Sequence, residues 1–179
     1  TLNAGTDLGN AVVTVAEGAT LTLAVSQATG KAITGAVTTS AGGTGGKIIV
    51  TALDGAASYD LANLAGGADT GGGTKGTVTA TVAASATLNA GTDLGNAVVT
   101  VAEGVTLTLT SAQANNQTIS GAGGVTINAL ALGAVLTNLT ASGTVTANVA
   151  ADTNYTANST LSAVDAYVVA SSAVATLTS

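Results

Sequence analysis

The side chains able to do chemistry in this sequence are few, and nearly all are carboxylates and amides. The segment NAGTDLGN occurs twice, at 3–10 and at 89–96. It places Asn3, Asp7 and Asn10 together in the first copy, and Asn89, Asp93 and Asn96 in the second. Hard cations take oxygen ligands from carboxylates, amides and backbone carbonyls. Asp7, Asn10, Asp93 and Asn96 are therefore candidate calcium ligands. Asp69 in GGADTGGG (66–73) is a fifth, and Asp54 with Asp60 are further options. A turn competes with this reading. Asp and Asn side chains bond their own backbone two residues on, and neighbouring glycines supply the tight geometry. On that chemistry the turn is favoured over the metal.

Other mechanisms lack their parts. The chain has no His and no Cys, and its three basic residues are Lys31, Lys47 and Lys75. A Ser-His-Asp or Cys-His nucleophile cannot be assembled, and neither can a His- or Cys-ligated zinc site. Each lysine stands beside a glycine, in segments read as turns, and solvated lysines are the ordinary outcome there. Two carboxylates would suffice for glycoside hydrolysis, but the aromatic and basic residues that usually line a sugar groove are missing. Asp7 and Asp93 fall at equivalent positions of the repeat, as do Glu17 and Glu103. Duplicated stations suit a structural role better than a catalytic one, so no enzyme and no cofactor other than calcium are expected.

Charge and composition narrow the partners. Nine acids against three lysines give a net charge of −6, with no basic run to hold a phosphate backbone. Aromatic residues are 2% of the chain, too few for base-stacking platforms. No nucleic-acid partner is expected. Thr, Ser, Asn or Gly interrupts every apolar stretch short of the roughly 18 residues that a membrane helix needs, and the aromatic girdles of a membrane barrel are missing too. No membrane span is expected. Without Cys there is no disulfide to staple the fold. The chain opens with neither an initiator Met nor a signal peptide, which reads as a processed product or a piece of something longer.

The elements that must position these residues follow from an internal repeat. TLNAGTDLGNAVVTVAEG at 1–18 returns letter for letter at 87–104. At the same spacing Gln27 matches Gln113, Ile33 matches Ile119 and Gly35 matches Gly121. Farther on, GTVTATVAA (76–84) matches GTVTANVAA (143–151) at a shorter spacing. The difference lies in two Gly-rich stretches of the first copy, 38–46 and 65–73, which read as surface loops of variable length. The expected organisation is repeat 1 over 1–86, repeat 2 over 87–158, and the start of a third over 159–179.

Within each repeat, Val, Leu or Ile alternates with Thr or Ala, as in AVVTVA, ATLTLA and GVTINAL. That period of two predicts strands with one apolar face, about six to eight per repeat, with Val13 and Val15 pointing inward. LTLAVSQAT (21–29) carries the main helical hint, and SYDLANLA (58–65) could hold one helical turn. With no Phe, Trp or Met, the core must be thin. An all-β parallel solenoid needs only Val, Leu, Ile and Ala inside, with Thr and Asn ladders and Gly at corners. Tandem small β-sandwiches are the alternative, but they usually lean on a buried aromatic or a disulfide. The solenoid is the expected fold.

The pattern VTVAEGATLTL…Q…G…ITG followed by GTVTATVAA resembles the tandem repeats of very large secreted bacterial surface proteins. These include adhesins, filamentous-haemagglutinin-like proteins and surface-layer-like proteins. The resemblance spans nearly the whole chain and implies a secreted or cell-surface location with a structural or adhesive role. It also implies calcium dependence, although GGADTGGG departs from the calcium-roll pattern G-G-x-G-x-D. The expected function is a non-enzymatic extracellular scaffold that self-assembles end to end as a filament, surface layer or matrix. An adhesin module binding a cell-surface or glycan target through loops 38–46 and 65–73 is the alternative. A third reading is an ice-binding face, since regular Thr-x-Thr arrays on a flat solenoid can order water.

Overall fold

The structure, a computed structural model, describes residues 1–3, 5–156 and 159–177, with only the backbone at Ser159. Ala4 of the first NAGTDLGN segment, and residues 178–179 of the expected third repeat, lie outside the described residues. The chain is an all-β parallel solenoid of about 8 turns, as the alternating pattern predicts. It divides into two compact units. Unit 1 comprises Thr1–Leu53, Tyr59–Thr81 and Gly91–Val98, and unit 2 takes Asp54–Ser58, Val82–Ala90 and the chain from Val99 onward.

In unit 1 the chain forms β1 (Val13–Val15), β2 (Thr20–Ala24), the short helix α1 (Val25–Ala28), β3 (Ile33–Gly35), β4 (Lys47–Thr51), β5 (Leu64–Ala65) and β6 (Val78–Val82). β1, β3 and β5 make one parallel sheet, and β2, β4 and β6 another. Register stacks like on like: Leu23 lies on Val50 and Val50 on Ala80. All three are buried, while Thr22, Ile49 and Thr79 face outward from the same strands. A one-residue slip would turn every buried side chain to solvent, so burial of this column fixes the pairing. Val15 is buried as expected, and Val13 is half-buried. The helical hint at 21–29 resolves into β2 followed by α1, whereas 58–65 holds a turn closed by Leu64 N–H to Leu61 O, 3.1 Å, in place of a helix.

In unit 2 the elements are β7 (Ala86–Thr87), β8 (Val98–Val101), β9 (Thr106–Thr110), α2 (Ser111–Ala114), β10 (Ile119–Gly121), β11 (Gly124–Asn128), β12 (Val145–Val149), β13 (Thr153–Asn154), β14 (Ala166–Val169) and β15 (Ala175–Thr176). β8 pairs with β10, and β13 with β15; a five-stranded sheet runs β7, β9, β11, β12, β14, all parallel. Its inner columns are Leu107–Val125–Val145 and Leu109–Ile127–Ala147, each residue at most 2% exposed. The structural repeat is one coil. Register partners stand 20 residues apart at Val99 and Ile119, and again at Val125 and Val145. Each long sequence repeat therefore supplies several coils.

The Gly-rich stretches behave differently from free surface loops. They lengthen the coils of unit 1, where Ile48 meets Val78 at 30 residues' distance, and they stack on each other. Thr38 bridges Asp69 and Thr44 bridges Thr74, with Thr38 N–H donating to Ala68 O at 2.9 Å and Thr74 N–H to Gly43 O at 2.8 Å. Thr38 is completely buried and donates its hydroxyl to the Glu17 carboxylate. Part of each insert pairs its backbone in the same parallel manner as the strands, which is what burial of a peptide requires. Among the described residues no helix is long and apolar enough to cross a membrane.

Candidate functional site

The acidic and amide residues singled out in the sequence lie in the turns that join strands. Asp7, Asn10, Asp93 and Asn96 are exposed, and Asp69 is half-buried. Asp7 accepts the Gly9 N–H at 2.8 Å, and Asp93 accepts the Gly95 N–H at 2.9 Å. Gly9 and Gly95 have φ of +52° and +54°, a conformation that glycine adopts at little cost. The two copies thus build the same turn around an Asp side chain bonded two residues on. Asp54 and Asp60 repeat the device, accepting from Ala56 and Ala62. Asp69 accepts from two donors, Gly71 and Gly73, each at 3.0 Å.

Two of these acids are brought together. Asp60 and Asp93 are bridge partners on neighbouring coils of unit 1, with Asp93 N–H donating to Tyr59 O at 2.7 Å and Leu61 N–H donating to Asp93 O at 2.9 Å. Among the described residues no three Asp or Glu side chains gather where they could share a metal ion. The geometry supports turn formation for Asp7, Asp69 and Asp93. Lys31 stands over the first turn, donating to Gly9 O at 2.7 Å, with its ammonium 3.9 Å from Asp7. The Asp7 carboxylate is largely in water, so this pair contributes little to stability. Lys47 opens β4, where a turn was expected, and Lys75 is exposed.

Sequence reasoning aligned Gln27 with Gln113 without seeing their work. Each side chain does two jobs. Its carbonyl oxygen accepts the backbone N–H at the start of the short helix, Ala24 for Gln27 and Thr110 for Gln113, both at 2.9 Å. Its amide group donates to the turn of the duplicated segment, Gln27 to Asn3 O at 2.9 Å and Thr6 O at 3.1 Å, Gln113 to Asn89 O at 2.8 Å. The signal was the spacing: a Gln three residues past a strand end is the reaching half of a capping box.

Tyr155 is the largest fully buried side chain, and its hydroxyl donates to Leu130 O at 2.6 Å. Burial first, and then the neighbouring Tyr155, raise the Tyr167 phenol above its ordinary value of 10.0. Among the described residues every buried side-chain polar atom has a hydrogen-bond partner. No family model matches the chain, and no curated protein and no solved structure matches it.

Proposed function

We propose that this chain is a non-enzymatic structural module of an extracellular bacterial surface protein, built to continue end to end with the coils of further copies. One observation carries the reading. β14 pairs with β12 and stands last in its sheet. Val149 of β12 is 1% exposed, but its register partner Val169 is 40% exposed. Inner coils cover each other, and this one is covered on one side only. Val168, Val174 and Leu177 of the same coil are also exposed. An uncovered strand edge with unpaired backbone groups is a template for another strand, and a further coil would bury that apolar surface at about 25 cal/mol per Å². In a repeat architecture each unit contacts only its neighbours, so the best-fitting neighbour of a coil is another coil.

The extracellular assignment is supported by the resemblance of pattern to secreted surface proteins. The non-enzymatic reading is supported by Asp7, Asp54, Asp60, Asp69 and Asp93, each of which accepts an N–H of its own turn, and by the lack of His, Cys and Arg. Light scattering of the purified chain over a wide concentration range, with electron microscopy of the same samples, tests the proposal. Mass that rises with concentration, with fibres or sheets in the images, is the expected result. A monodisperse monomer throughout would overturn it.

A further inference from the structure

We infer that the outward face of β7, β9, β11 and β12 binds ice. On this face two columns stand in register. One is Thr87–Thr108–Thr126–Thr146, and the other is Thr110–Asn128–Asn148. Asn148 donates its side-chain amide to the Asn128 side chain at 2.8 Å, which ties two ranks of the second column together. These positions carry hydroxyls, amides and methyls and no charge. Gly124, beside them, leaves a recess of about 350 Å³ over the sheet.

The occupant follows from spacing and charge. Neighbouring strands are about 4.8 Å apart, and side chains i and i+2 on one strand are about 6.6 Å apart. In fully hydrogen-bonded water each oxygen has tetrahedral neighbours at about 2.75 Å, which places second neighbours about 4.5 Å apart and the perpendicular repeat at about 7.3 Å. The array approximates that mesh across three to four ranks. Threonine supplies a hydroxyl to join the water network and a methyl to seat within it. A neutral array of this kind carries no charge to attract an ionic partner. Unit 1 provides the contrast: its equivalent outward column is Thr22–Ile49–Thr79, with Lys47 at the head of β4, and both the branched apolar side chain and the ammonium break the mesh.

Thermal hysteresis and inhibition of ice recrystallisation, measured on the whole chain, test the inference. The expected result is activity in the native chain, its loss in Thr126→Lys and in Thr146→Tyr, and its retention in Thr79→Lys. Tyrosine suits a strand, so Thr146→Tyr keeps the test open if the lysine variant fails to fold, and circular dichroism of each variant reports folding. Absence of both activities in the native chain would overturn the inference. So would activity that survives both substitutions, or binding to crystalline cellulose or chitin without any effect on ice. Ice activity and light scattering read different faces, so either proposal can fail alone.

Discussion

Asp7, Asp93 and Asp69 each give a carboxylate oxygen to the N–H of their own turn, and a calcium ion would have to compete with that bond while finding its remaining oxygens elsewhere. Coordination by six to eight oxygens is what makes calcium bind. The expected outcome is a melting temperature that is the same with calcium and with a chelator; a rise on adding calcium would restore the metal reading. The half-buried Asp69 holds two glycine N–H groups. Asp69→Ala is expected to destabilise by about 1–2 kcal/mol, within the range for hydrogen bonds to a charged group discounted for exposure. Asp69→Asn, which keeps an acceptor, is expected to recover most of that loss in the same thermal melt. Tyr167 supplies the pH dependence. Its phenol is raised above 10.0 by burial and by Tyr155, so the fold favours the protonated form. That contribution is complete below the ordinary tyrosine range and is lost as pH rises through the folded value. Melts taken across alkaline pH are expected to show a shallower decline in Tyr167→Phe.

The elements show which parts of the fold are legible in residues and which are not. Strands were readable because Leu23, Val50 and Ala80, or Leu109, Ile127 and Ala147, each sit in an alternating run whose apolar face is buried whole. The duplicated Asp-Gly turn was readable because its chemistry is local. The stacking of 38–46 on 65–73 was not, since glycine carries no apolar period and the pairing joins residues about 30 apart. There the backbone itself is the packing surface. A Cβ on Gly67 would fall on Ala36 O and on Gly46 N, although the position has no unusual φ. Gly72, in the same insert, has φ +80° and open space around it. Gly67→Ala is therefore expected to cost about 1–3 kcal/mol through overpacking, lowering the melting temperature by about 2–4 °C per kcal/mol for a chain of this size. Gly72→Ala carries only the left-handed backbone cost, about 1 kcal/mol. Equal losses at the two sites would show that the inserts are not packed backbone to backbone.

At the scale of the whole molecule, continuity of the coil stack is the property that matters, and β14 is where it is open to test. Val168 and Val169 are neighbours in sequence but differ in direction. Val169 is in register with the buried Val149, on the inward side, and Val168 with the outward Asn148. If a second copy continues the stack on this edge, a charge at Val169 must be buried in the new contact, and a charge at Val168 stays in water. Inward-pointing charges are a known way in which proteins block edge pairing. Val169→Lys is expected to abolish the concentration-dependent rise in mass, and Val168→Lys to reduce it far less. Neither should lower the melting temperature of the isolated chain much, because both valines are already at least 40% exposed and a lysine stem can lie along the apolar edge with its ammonium in solvent. Equal loss of association in both variants would point to attraction between exposed surfaces in place of coil-on-coil stacking. Unimpaired association in Val169→Lys would remove β14 from the contact altogether.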